Sequence, residues 1–221
     1  MLFELLQGLA ALGTVQKIAV SALPIIFAIT VHEAAHGYIA RYFGDMTAQE
    51  QGRITLNPLR HIDPVGTILV PAITLVLGGI LFGWAKPVPV NFSRLRSPKK
   101  DMLWVAAAGP ASNLVMAIFW VLVIKFSMVV QSGFSDALAY MGAVGIMINL
   151  VLMVLNLIPL PPLDGGRIAV SLLPNRLAFQ YAKVERYGFF ILIALLFTGI
   201  LSKIMNPFIV ILLAIISNVF F

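Results

Sequence analysis

Residues 18–40 read IAVSALPIIFAITVHEAAHGYIA, 23 residues dominated by Ile, Ala, Val, Leu and Phe. About 20 apolar residues cross the hydrocarbon core of a bilayer as a helix, so this stretch predicts a membrane helix. Three ionisable side chains, His32, Glu33 and His36, nevertheless sit near its end. Ionisable groups inside a membrane segment cost about 2.5–3.5 kcal/mol each on insertion scales, so such a cluster needs a compensating partner. His32 and His36 are four apart and share one helical face. H-E-x-x-H on a helix is a zinc-ligand pair, with the glutamate placed as general base of a metal-dependent hydrolase.

The rest of the chain fits the same solvent. Of its 221 residues, 60% are hydrophobic and 11% charged, against about 25% charged in an ordinary soluble domain. The mean hydropathy is +0.98. Disorder, coiled coil and nucleic-acid binding are all disfavoured, and no nucleic-acid partner is expected. The net charge of +6 is read as a report of membrane topology. Cysteine is absent, so disulfides, thiolate metal sites and a cysteine nucleophile are excluded, and any metal must be held by His, Asp or Glu. The N-terminus, MLFELLQGLAALG, carries Glu4 and no basic run, unlike a cleaved signal peptide.

Apolar stretches fall at 2–13, 18–40, 65–83, 102–130, 138–160, 187–201 and 204–221. They predict an all-α polytopic membrane protein of five to six spans. Segment 2–13 is too short to span securely and suits an interfacial helix. Segments 187–201 and 204–221 read as a helical hairpin turning at Ser202-Lys203. The expected organisation is one membrane-embedded domain over 1–221, with a catalytic core at about 18–170 and the hairpin at about 187–221. Between the spans, RITL at 53–56 and the alternation of Val88, Val90 and Phe92 suggest a small sheet at the membrane edge.

Of the 15 Lys and Arg residues, 12 lie in the polar stretches 41–64, 84–101 and 159–186. The positive-inside rule places all three on the cytoplasmic side. Segment 65–83 then cannot cross once; Pro71 and Gly78-Gly79 suit a re-entrant bend. The same count puts the C-terminal ends of segments 18–40 and 138–160 at one face.

A catalytic zinc takes three protein ligands and keeps one open position. Glu50, His61, Asp63 and Asp164 are the candidates for the third. Asp164 follows an apolar helix broken by Pro159, Pro161 and Pro162, and a helix broken at membrane depth makes sense beside a polar site. The sidedness count sets Asp164 at the depth of His36. His61, in a loop, could instead approach the metal or orient a ligand.

HEAAH at 32–36, followed by N-x-x-P-x-x-x-L-D-G from Asn156 to Gly165, resembles the site-2 protease family of intramembrane zinc metalloproteases. GRITLNPLRHIDPVGT (52–67) and FGWAKPVPVN (82–91) are similar to its compact prokaryotic branch, which lacks PDZ and CBS domains. The likeness covers roughly residues 30–170. It implies one Zn²⁺ held by His32, His36 and Asp164, Glu33 as catalytic base, and Asn156 binding substrate or the oxyanion. It implies transmembrane protein substrates, a lipid bilayer as surroundings, and a prokaryotic plasma membrane with the active site toward the cytoplasm. Gly109-Pro110-Ala111-Ser112-Asn113 resembles the family's G-P-x-x-N element, with close helix packing as its simpler role. VPVNF at 88–92 is the candidate for presenting substrate as a strand. Two other classes compete: a polytopic membrane metal transporter, and a non-catalytic metal-binding membrane protein. The transporter would need a polar path that segments 102–130 and 138–155 hardly supply, and a pure binder has no use for Glu33.

Overall fold

The computed structural model describes residues 1–70, 73, 83–130 and 132–221. The described residues form nine α-helices: α1 (Leu2–Ala11), α2 (Thr14–Tyr42), α3 (Thr47–Glu50), α4 (Pro98–Val129), α5 (Ser135–Leu157), α6 (Asp164–Leu172), α7 (Asn175–Ala182), α8 (Glu185–Phe197) and α9 (Ile200–Phe220). Short helical turns at Pro58–Arg60, Pro64–Leu69 and Phe92–Arg94 lie between α3 and α4. Four of these helices, α2, α4, α5 and α9, are long and apolar enough to cross a membrane. The all-α polytopic expectation therefore holds. The ten residues of α1 reach about 15 Å, half of a hydrocarbon core about 30 Å thick.

The core is the seam between α4 and α5. Trp120 and Ile124 of α4 lie against Ile146 and Leu150 of α5, all buried, with Met205, Ile209 and Leu213 of α9 in the same cluster. Burial against lipid gains little from the hydrophobic effect, so this seam depends on close packing. Small residues of α5 provide it: Gly145 lies flat beneath the Trp120 ring and Gly142 beneath Ile124.

α2 packs on the same pair and fixes the direction of the bundle. His36, near the C-terminal end of α2, bonds to Val105, near the N-terminal end of α4. The chain from 43 to 97 thus leaves and returns at one end of the bundle. Within it, the Trp84 N–H donates to the Gly66 carbonyl at 2.9 Å and Thr67 Oγ1 donates to the Trp84 carbonyl at 2.9 Å. Gly66 and Thr67 are thus held against Trp84. The bend expected at Pro71 and Gly78-Gly79 lies outside the described residues.

Two sequence expectations differ from the structure. No strand occurs among the described residues, so the edge sheet is not formed there. Residues 83–91 carry no regular element, and Pro87 and Pro89 have no N–H to give a ladder. The bonds that a sheet would use go elsewhere. Arg53 donates to the Lys86 carbonyl at 2.7 Å, and the Val88 N–H donates to a side chain of α2. The second difference is the C-terminal turn. It falls at Gly199, whose φ of 72° is left-handed, and α9 runs straight through Ser202 and Lys203. Glycine takes that conformation without a Cβ penalty, whereas Ser and Lys are merely polar and compatible with helix.

Candidate metal centre

The site forms where the ends of three helices meet. α2 supplies His32 and His36 from one face. α6 begins at Asp164, directly after the proline-broken end of α5. The break is compact: a Cβ on Gly165 would lie 2.3 Å from the Leu157 carbonyl oxygen, so only glycine lets α6 start so close to the end of α5. Asp164 is thereby turned back toward α2. His32 Nε2 and His36 Nε2 stand 3.1 Å apart, and Asp164 Oδ2 lies 3.3 Å from each.

The hydrogen bonds behind the imidazoles define their tautomers. His36 Nδ1 lies 2.7 Å from the Val105 carbonyl oxygen. A carbonyl only accepts, so Nδ1 carries the proton and Nε2 presents a lone pair. His32 Nδ1 lies 2.6 Å from Asn113 Oδ1. The Asn113 amide nitrogen donates to the Ala28 carbonyl at 3.3 Å and to Asn149 Oδ1 at 2.9 Å. The orientation of that amide leaves only its oxygen for His32, so His32 too is protonated at Nδ1. Both Nε2 lone pairs therefore aim at the same small space as Asp164 Oδ2. That oxygen is buried and has no hydrogen-bond donor.

Three lone pairs converging without a proton between them repel one another, and a cation removes the conflict. Ligands about 2.1 Å from a tetrahedral ion stand roughly 3.4 Å apart, close to the spacings observed. His32, His36 and Asp164 are also the group of possible ligands that the fold gathers among the described residues. Gly109 of α4 keeps the space open. A Cβ there would lie 2.5 Å from His32 Cε1 and His36 Nε2, and 2.6 Å from His32 Nε2.

Glu33 is one residue along the helix. Its Oε2 accepts the Val88 N–H at 2.8 Å, and Oε1 makes no hydrogen bond with a described residue. The other candidates for a third ligand are elsewhere. Glu50 pairs with Arg94 at 2.8 Å on the surface. Asp63 accepts the Val65 and Gly66 N–H groups at 3.0 and 2.7 Å, capping the turn at Pro64. His61 is buried and its Nε2 donates to the Thr55 carbonyl at 3.0 Å, a structural place in the loop. Asn156 lies at the end of α5 with its amide donating back to the Leu152 carbonyl at 3.0 Å. Asn113 neither merely packs nor faces the centre; it holds the back of His32. Asn149, the Val105 carbonyl and the Val88 N–H were not singled out from the sequence. Of these, only Asn149 left a signal there: an amide within an otherwise apolar span needs a partner.

Two imidazoles of the membrane-length helix α2 and a carboxylate at the start of α6, with a second carboxylate beside them, are the donor set of a membrane-embedded metallohydrolase. Comparison with known proteins makes the class specific. Residues 125–199, which include Asn156 and Asp164, match the family model of peptidase family M50. A Bacillus subtilis protein named "Putative zinc metalloprotease YwhC" is 42% identical over 189 residues, covering 84% of this chain and 83% of that protein. The relative Rip2 of Mycolicibacterium smegmatis, also named as a zinc metalloprotease, is 32% identical over 181 residues, covering 80% of this chain and 66% of its own length. No solved structure matches. The chain belongs to peptidase family M50, the site-2 protease family. Membership favours the metalloprotease over the transporter and the non-catalytic binder.

Proposed function

We propose that the protein hydrolyses peptide bonds within or near transmembrane segments of other membrane proteins, using one zinc ion held by His32, His36 and Asp164. The observation that carries this is the buried, donor-less Asp164 Oδ2, which faces two imidazole nitrogens whose protons are committed on the far side of each ring. Zinc bound there supplies Lewis-acid activation of water and of the scissile carbonyl. Glu33 takes the proton from the attacking water and returns it to the leaving amine. The Val88 N–H holds one of its oxygens and leaves the other for that transfer. Asn156, at the mouth of the break, turns its amide from the Leu152 carbonyl toward substrate and stabilises the developing oxyanion.

In this reading residues 1–221 form one domain. α8, 13 residues long, pairs with α9 as a short fifth crossing beside the four long helices, and the re-entrant 65–83 adds none. The site faces the cytoplasm of a prokaryotic cell in this reading, and the basic stretches 41–64, 84–101 and 159–186 support that sidedness. A substrate helix hides its carbonyls in internal hydrogen bonds, so it must unwind locally before it is cut. The bond of the Val88 N–H to Glu33 supports residues 88–92 as the segment that receives the unwound strand.

The test uses the purified chain in detergent micelles with a single-span membrane protein as substrate. Cleavage is expected inside the span, to be lost on chelation, and to return with one equivalent of zinc. Cleavage that survives complete zinc removal would refute the reading.

A further inference from the structure

The polar chain behind His32 does not end at Asn113. Asn113 donates to Asn149 Oδ1 at 2.9 Å, and Asn149 donates to the Gly145 carbonyl, one turn earlier in α5, at 2.8 Å. Both asparagines are 0% exposed, so no water competes for these bonds. The direction of the chain is fixed from its far end. The Gly145 carbonyl accepts only, so Asn149 presents its nitrogen there and its oxygen to Asn113. Asn113 must then present nitrogen to Asn149 and oxygen to His32, and His32 must carry its proton on Nδ1. The Ala28 carbonyl gives Asn113 the same sense, but at 3.3 Å it is the longer bond.

We propose that Asn149 is a positioning residue for the metal centre. Through Asn113 it fixes the tautomer and ring orientation of His32, so that Nε2 presents its lone pair to the ion without prior rearrangement. The inference rests on the reading of His32, His36 and Asp164 as the zinc site. It also accounts for a fully buried polar amide between α4 and α5, where an apolar residue would enter the membrane more readily. Loss of such an outer partner typically weakens a metal site about 10–100-fold.

The test measures zinc affinity of the full chain in detergent by competition with a chelator. Asn149→Leu keeps the volume and removes both bonds; affinity is expected to fall about 10-fold or more. Ile146→Ala removes packing from the same helix, where Ile146 is 0% exposed, and should leave affinity unchanged. Asn113→Leu should weaken binding further, and adding Asn149→Leu to it should cost nothing more, because the two act in series. Unchanged affinity in Asn149→Leu, an equal loss in Ile146→Ala, or additive losses in the double variant would overturn the relay. On the metal-free wild-type chain, ring ¹⁵N shifts should show His32 protonated at Nδ1; protonation at Nε2 overturns the proposal without any variant. A wild-type chain that binds no zinc would remove the metal-centre reading itself, a failure distinct from the relay's.

Discussion

Glu33→Gln is expected to leave zinc bound and to lower peptide hydrolysis by about 10²–10⁴-fold, the usual contribution of a positioned general base. The substitution isolates proton transfer because the structure tolerates it. The substituted amide is isosteric, and its oxygen can still accept the Val88 N–H that Glu33 Oε2 accepts at 2.8 Å. The stretch over the site therefore stays in place, and the ligands on either side are untouched. Turnover of a single-span substrate and zinc content, measured on the same preparation, check it together. Activity within tenfold of wild type would remove Glu33 from the role of base. Loss of zinc would show that Glu33 holds the centre together instead.

Gly109→Ala is expected to be nearly as damaging, though residue 109 does no chemistry. The added methyl would stand 2.5 Å from His32 Cε1 and His36 Nε2 and 2.6 Å from His32 Nε2. Neither ring can simply turn away, because each is tied at Nδ1, one to Asn113 and the other to the Val105 carbonyl. The clash must move α4 or push a ligand out of line. Overpacking of a dense interior costs about 1–3 kcal/mol, and a displacement of about 1 Å at reacting groups can cost about 10²-fold in rate. Zinc affinity and activity are expected to fall together, with the protein still inserted in the membrane. Wild-type zinc affinity in Gly109→Ala would mean that the imidazoles do not face the space the glycine leaves.

The long helices were legible because membrane spans need only length and apolarity, and α2, α4, α5 and α9 have both. The pairing of His32 with His36 was legible because helical spacing alone puts both on one face. The third member was harder. Glu50, His61, Asp63 and Asp164 all had suitable chemistry, and the resemblance of 156–165 to the site-2 protease motif singled out Asp164, with a topology that agreed. The basic residues gave that topology indirectly, by setting the ends of α2 and α5 at one face, where the structure now brings Asp164 to 3.3 Å from both imidazoles.

What could not be read was mostly backbone. The Val105 carbonyl that orients His36 and the Val88 N–H that holds Glu33 come from residues whose side chains say nothing about the role. The edge sheet is absent at 53–56 and 88–92 for a related reason. Alternation at Val88, Val90 and Phe92 looked like a strand, but Pro87 and Pro89 remove the donors a ladder needs, and the free Val88 N–H goes to Glu33. Ser202-Lys203 suggests a turn by polarity alone, whereas the turn needs the positive φ that Gly199 supplies.

Zinc per chain tests most directly whether His32, His36 and Asp164 together hold the metal. Wild type and Glu33→Gln, purified identically, should each carry about one zinc, the complement of a site with three protein ligands. Asp164→Ala leaves two imidazole ligands and should carry close to none. Full zinc occupancy in Asp164→Ala would contradict the account, because the metal would then be held without the carboxylate on which the whole arrangement of α2, α5 and α6 converges.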